Sequence, residues 1–112
     1  MDLGANIGTF ALPAARLTDV VVVEPYSESM ARLFESVRLG GVQMNVSLVT
    51  NAVSDRRSVS AHGFHRRNIG ATYLKMTTNS TDCRRGRCTW TILLDDLLPL
   101  IRRRRVVMKV DT

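Results

Sequence analysis

The sequence predicts an α/β fold organised around a doubly wound, mainly parallel sheet, and three features carry that expectation. Strand-like and helix-like apolar segments alternate through the first half of the 112-residue chain. Val20, Val21, Val22 and Val23 form an unbroken β-branched run, which suits a strand covered on both faces. A short turn bearing Gly4 and Gly8 joins the first strand to the first helix, at the end of the sheet where such folds bring their ligands.

Residues 1–3 read as the last residues of a strand, and residues 4–8 as a tight turn. Ile7, Phe10, Ala11, Ala14 and Leu17 recur at helical spacing and predict a helix over 7–17, with Pro13 removing a bond in its second turn. Asp19 leads into the valine strand, which ends at Glu24 and Pro25. Ser27 is the expected N-cap of a helix over 28–39, whose buried stripe is Met30, Leu33, Phe34 and Val37. Gly40 and Gly41 end it. A third strand over 46–53 completes a βαβαβ unit. Short strands over 58–64, 71–76 and 89–93 form a β insertion, with the polar stretch 66–70 between the first two. A short helix over 95–101 precedes a buried-type strand over 106–110 that carries Asp111 at its C-terminal end. Met1 stands directly before the turn, and no closing element follows Asp111. The chain is therefore expected to be part of a longer domain, truncated after its fourth core strand.

Composition narrows the partners. A hydrophobic content of 45% is ordinary for a globular core. There is no apolar run of membrane-spanning length and no signal-peptide pattern at the start. The net charge of +6 comes from 14 arginines against Lys75 and Lys109, clustered at 56–57, 66–67, 84–87 and 102–105. Such clusters attract phosphates or acidic surfaces. An aromatic content of 5% leaves few stacking platforms, so solvated loops are the expected reading and nucleic acid is not the expected partner. Cys83 and Cys88 lack the further ligands of a metal site, so no metal is expected; a small disulfide loop remains open. Two sequons, at Asn45 and Asn79, point with that loop towards a secretory lumen, while the rest of the sequence favours the cytoplasm.

The chemistry concentrates at the strand ends. Asp2, Glu24 and Asp111 all fall there. Gly4 and Gly8 allow a tight turn and close approach of backbone to a ligand. The helix expected to follow would aim free amides at the same place. Glu24 lies 22 residues beyond Asp2, close to the spacing at which an acid accepts both hydroxyls of a ribose. The pattern is D-x-G-x-N-x-G, however, and not the G-x-G-x-x-G of a pyrophosphate site. A side chain at Asn6 would crowd a pyrophosphate, and Asp2 would repel one. Both suit a ligand with an amino-acid end and a ribose end, as S-adenosylmethionine has.

The segments Asp2-Leu3-Gly4-Ala5-Asn6-Ile7-Gly8-Thr9, Val23-Glu24-Pro25, Asn51-Ala52-Val53-Ser54-Asp55, Leu94-Asp95-Asp96-Leu97 and Lys109-Val110-Asp111 occur in the order seen in FkbM-type methyltransferases. Across nearly its whole length the chain resembles that family. The resemblance implies a Rossmann-like sheet of the class I methyltransferase type, of which residues 1–112 would be the N-terminal, cofactor-binding part. It implies methyl transfer from S-adenosylmethionine to a hydroxyl oxygen of a small molecule or glycan. Asp2, Gly4, Ala5, Asn6 and Gly8 would hold the amino-acid end, Glu24 the ribose, and Pro25, Asn51, Ala52 and Val53 would border the adenine. Asp111 is the one candidate for a catalytic base. The stretch 82–87 is not explained by the family pattern.

The remaining polar groups read as structural. His62 and His65 are expected at the surface without a role, and Asp95 and Asp96 start a helix, where negative charge is favourable. The rival to an enzyme is a non-catalytic Rossmann-like module whose last strand lies at an uncovered edge.

Overall fold

The computed structural model describes residues 1–65, 67–76, 83 and 87–111. In chain order the elements are β1 (Asp2–Leu3), α1 (Ala11–Ala15), β2 (Val20–Val23), α2 (Ser27–Leu39), β3 (Val46–Val49), β4 (Ala52–Val53), β5 (Val59–His65), β6 (Asn68–Met76), β7 (Cys88–Ile92) and β8 (Lys109–Val110). Short 3-10 segments cover Gln43–Asn45 and Leu94–Leu100. One sheet is parallel, in the order β3-β2-β1-β8; the other is mixed, in the order β4-β7-β5-β6. The α/β class and the parallel core are therefore as the sequence predicts.

The valine run explains the centre of the parallel sheet. All four valines of β2 are buried, as continuous apolarity requires of a strand with two covered faces. Val20 and Val22 pack with Ala11, Ala15, Met30, Leu33 and Val37 in one cluster. Leu33 is fully buried there, and removing such a side chain from water contributes about 1.5–3 kcal/mol. At the end of α1, Asn45 Nδ2 donates to the Ala15 carbonyl at 2.9 Å, so the side chain of the first sequon is engaged in the fold. The second sequon lies outside the described residues.

Several expectations are corrected. The helix expected over 7–17 is only α1. Gly8 is left-handed at φ +87°, which no helical residue can be, and Ile7 and Phe10 are left exposed in the turn. Ser27 is the first residue of α2 and not its cap; the extended Tyr26 is the N-cap, and its side chain does not cap the helix. Phe34 is exposed, because the buried stripe runs through Met30, Leu33 and Val37 alone. The strand expected over 46–53 breaks at Thr50 and Asn51. Val46–Val49 pairs with β2, whereas Ala52 pairs with Thr91 in the second sheet. Local apolarity cannot show that a chain changes sheets. The last strand is neither buried nor five residues long. Val106, Val107, Met108 and Val110 are exposed, and β8 has no strand beyond it among the described residues.

In the second sheet, β5 pairs antiparallel with both β6 and β7, and a bulge interrupts β5 and β6 at Phe64 and His65. Buried Thr91 holds the entry to β5: its hydroxyl accepts the Ser58 amide and donates to the Arg56 carbonyl, both at 2.7 Å. Cys83 and Cys88 form a disulfide at the start of β7. Asp96 Oδ2 accepts the Leu93 amide at 3.0 Å, the structural role expected of an acid at a helix start. That bond, with the Arg57 guanidinium beside it, holds the Asp96 carboxyl below its ordinary range.

Candidate functional site

Parallel pairing places Gly4, Glu24 and Asp111 at one edge. Leu3 is level with Val23 and with Val110, so the residues that follow leave the sheet together at its carboxyl end. The order also reverses here. The chain moves from β1 outward to β2 and β3, then returns to lay β8 on the other side of β1. Such a switch point opens a crevice between the diverging connections, and ligands of open α/β sheets bind there.

The turn after β1 is built backbone to backbone. The Val23 carbonyl accepts from the amides of Gly4 at 2.9 Å and Ala5 at 3.2 Å. Gly4 has φ +76°, and a Cβ there would run into the Asp111 carbonyl oxygen. Asn6 has φ +53°, a region that asparagine visits more readily than other side-chain-bearing residues. The Ser29 hydroxyl donates to Asn6 Oδ1 at 3.3 Å, tying the turn to the start of α2. Gly8 serves packing: a Cβ there would collide with the Leu33 side chain.

Glu24 is buried, at 7% exposure, and its carboxylate joins the two connections. Oε2 accepts the Asn6 amide at 2.8 Å and Oε1 the Tyr26 amide at 2.9 Å. A carboxylate offers about four acceptor positions, so roughly two remain, one on each oxygen. That is the donor set a vicinal diol satisfies.

Asp2 is completely buried, and the register sets it beside Lys109 on β8. Lys109 Nζ donates to Asp2 Oδ1 at 3.1 Å and reaches Asp111 Oδ2 at 3.5 Å. Burial pulls the Lys109 ammonium down, but the hydrogen bond and charge of Asp2, with help from Asp111, outweigh it and raise its pKa. Asp2 was expected to attract a ligand's amino group; the chain itself supplies a cation to one of its oxygens. Oδ2 has no hydrogen-bond partner among the described residues. Asp111 points its side chain largely into solvent, 71% exposed.

No family model, curated protein or solved structure matches this chain. The physical arrangement therefore carries the functional reading.

Not every expected site residue gathers at the crevice. Asn51 Nδ2 donates to the Trp90 carbonyl at 3.0 Å, and Ala52 and Val53 pair with β7, so this stretch is bound into the second sheet. It leaves β3 next to the site, since the Val49 carbonyl accepts the Glu24 amide at 3.1 Å. The helix expected to aim free amides at the ligand does not do so. Five-residue α1 begins at Ala11, three residues beyond Gly8.

Two groups that sequence reasoning passed over are present instead. Lys109 is one; its place in Lys-x-Asp, two residues before an acid at a strand end, was the available signal. His62 is the other. It is half-buried, not a solvated surface residue, and its ring meets that of Tyr26 edge-on, with centroids 5.7 Å apart at 61°. Burial lowers its pKa, while the nearby Glu24 carboxylate and Pro25 carbonyl partly offset that. The side chain of His65 lies outside the described residues.

An apolar cavity lies elsewhere. A space of about 230 Å³ between α1 and residues 100–107 is lined by Phe10, Ala14, Val20, Val21, Ile101 and Val107 among others. Val20 opens β2, so this cavity is at the opposite end of the strands from Glu24. The arginines near it are exposed, and Arg103 pairs with Asp19 at 3.2 Å. Arg57 likewise pairs with Asp96.

Proposed function

We propose that this protein binds S-adenosylmethionine at the crevice between β1, β2 and β8 and transfers its methyl group to a hydroxyl oxygen of a small molecule or glycan. The observation that carries the reading is the Glu24 carboxylate, held in place by two backbone amides with one acceptor position left on each oxygen. The resemblance to FkbM-type methyltransferases supports the same assignment, as does the order β3-β2-β1-β8, which is that of a Rossmann-like half-sheet.

The residues fit the cofactor in three respects. Glu24 takes the ribose diol. The left-handed turn through Gly4 and Asn6 keeps the backbone low enough for the amino-acid end to lie against it. Asp2 Oδ2, buried without a partner among the described residues, accepts from an ammonium group, while Lys109 limits how negative that corner is. The cofactor supplies an electrophilic methyl group. The chain's part is positioning: bringing reactants into line is the largest resource for a displacement that needs little acid–base help. In this reading Asp111, exposed beside Lys109, orients an acceptor hydroxyl and takes up its proton.

A binding module without transferase activity is the second reading. It is favoured by the contact of Asp111 with Lys109 at 3.5 Å, which engages that carboxylate within the chain and away from an acceptor.

Calorimetric titration of the purified protein with S-adenosylhomocysteine tests the binding site. Micromolar binding that is lost in Glu24→Ala is expected; absence of binding, or binding indifferent to that change, removes the proposal. Incubation with methyl-labelled cofactor and a panel of hydroxylated acceptors then separates the two readings.

A further inference from the structure

We infer that His62 is the base-recognition residue of this site, its imidazole Nδ1 pairing with the amidine edge of an adenine whose ribose is held by Glu24. The inference rests on the proposed nucleoside site at Glu24 and deepens it by naming the base and the group that reads it.

Among the described residues, two buried side-chain polar atoms have no hydrogen-bond partner: Asp2 Oδ2 and His62 Nδ1. Leaving such an atom unpaired is costly, and in a folded protein it calls for an explanation. In the proposed site Asp2 Oδ2 takes the cofactor's ammonium group, and its other oxygen is ion-paired to Lys109. That reading leaves His62 Nδ1 without a use, although the ring is also bonded to the Pro25 carbonyl. The His62 backbone amide donates to the Arg87 carbonyl at 2.7 Å, and its ring is held against Tyr26. The ring is thus oriented by its surroundings while one nitrogen is left unused.

Its neighbours place the ring beside the diol-binding acid. Tyr26 is both the ring partner of His62 and the donor to Glu24 Oε1, so one three-residue segment carries the diol-binding acid and the wall on which His62 rests. A nucleoside bears its diol and its base on one sugar. A group beside the diol-binding carboxylate therefore meets the base.

The chemistry selects among bases. Burial keeps the imidazole neutral at pH 7, so it offers one donor and one acceptor and does not call for an anion. Adenine presents an exocyclic amine next to a ring-nitrogen acceptor and can satisfy either form of the imidazole. Metal binding is a poor alternative, since no group of three His, Cys, Asp or Glu side chains assembles among the described residues.

The test is calorimetric titration of the wild-type protein, His62→Phe and Glu24→Gln with S-adenosylhomocysteine and with S-inosylhomocysteine, in which a carbonyl replaces the amine. Phenylalanine keeps a planar ring against Tyr26 and removes only the nitrogens. The wild type is expected to prefer the adenosyl compound by about tenfold, and His62→Phe to weaken it by about tenfold while narrowing the preference to about twofold. An unchanged affinity and preference in His62→Phe, with binding still lost in Glu24→Gln, overturns the role of His62 and leaves the nucleoside site standing. No binding of either compound to the wild type removes both. Should His62→Phe fail to fold by circular dichroism, equal wild-type affinity for the two compounds overturns the inference.

Discussion

The Asn6 backbone amide donates to Glu24 Oε2 at 2.8 Å, so the turn that leaves β1 and the acid that ends β2 form one hydrogen-bonded unit. Tyr26 completes it from the other side of the carboxylate. A group held this way keeps its orientation before any ligand arrives, which lowers the ordering cost of binding.

Replacing Glu24 tests structure and binding together. Glu24→Ala leaves the part-buried Asn6 and Tyr26 amides without their acceptor, at a cost below the roughly 1–3 kcal/mol of a fully buried unpaired donor. Glu24→Gln keeps one carbonyl acceptor and should lose less. The urea unfolding midpoint should fall in the order wild type, Gln, Ala; a Gln variant as unstable as Ala contradicts the two-amide account.

Gly4 and Gly41 separate steric conflict from backbone strain. Both have positive φ, but a Cβ at Gly4 meets the Asp111 carbonyl oxygen, and one at Gly41 meets nothing within 4 Å. Gly41→Ala should cost about 1 kcal/mol, the strain of the left-handed region alone. Gly4→Ala should cost clearly more, because the obstructing oxygen belongs to the residue directly after β8, which is paired with β1. Equal losses in chemical denaturation would refute the contact.

Removing the Lys109 cation strands a carboxylate with no exposed surface. Lys109→Met should destabilise the fold by about 2–3 kcal/mol, towards the low end for a broken buried pair because Lys109 itself is partly exposed. Asp2→Asn with Lys109→Met should recover part of that loss, since no buried charge then remains. The Lys109 pKa is raised on folding, so its contribution is complete below pH 10.5 and disappears as pH rises through the higher folded value. A denaturation midpoint in Lys109→Met equal to that of wild type at neutral pH would show the pair to be idle.

His62 makes the opposite prediction for acid. Its folded pKa lies below the ordinary 6.5, so between the two values the unfolded chain binds more protons than the native one. Stability should therefore decline as pH falls below 6.5, and His62→Phe should flatten that part of the profile. A wild-type midpoint that rises over the same interval would contradict the burial of this ring.

Legibility of the site followed the range of the interactions involved. The turn was readable because Gly4, Asn6 and Gly8 are the residues that left-handed backbone admits, and all three have positive φ. Glu24 was readable from its place at the end of a strand made of four valines. His62 was not. It sits on a short strand whose neighbours in sequence include buried Ser60 and Ala61, so alternation gives no face to the solvent, and its partner Tyr26 lies on another element. The split between β3 and β4 was hidden for a related reason. An apolar run records burial, not the sheet in which the burial occurs.

By itself the sequence determined the local grammar of this protein: the valine strand, the Met30–Leu33–Val37 face of α2, the glycine stops and the acids at strand ends. These follow from backbone sterics and hydrophobic periodicity, which act over a few residues. The tertiary structure alone decided which of those acids is already paired and which still has acceptor positions to offer. Asp2 meets Lys109 because β1 and β8 lie side by side across nearly the whole length of the chain, and Glu24 keeps two acceptor positions because its hydrogen-bond partners among the described residues are two backbone amides. Pairing between distant segments is a property of register and strand order, and no local pattern contains it.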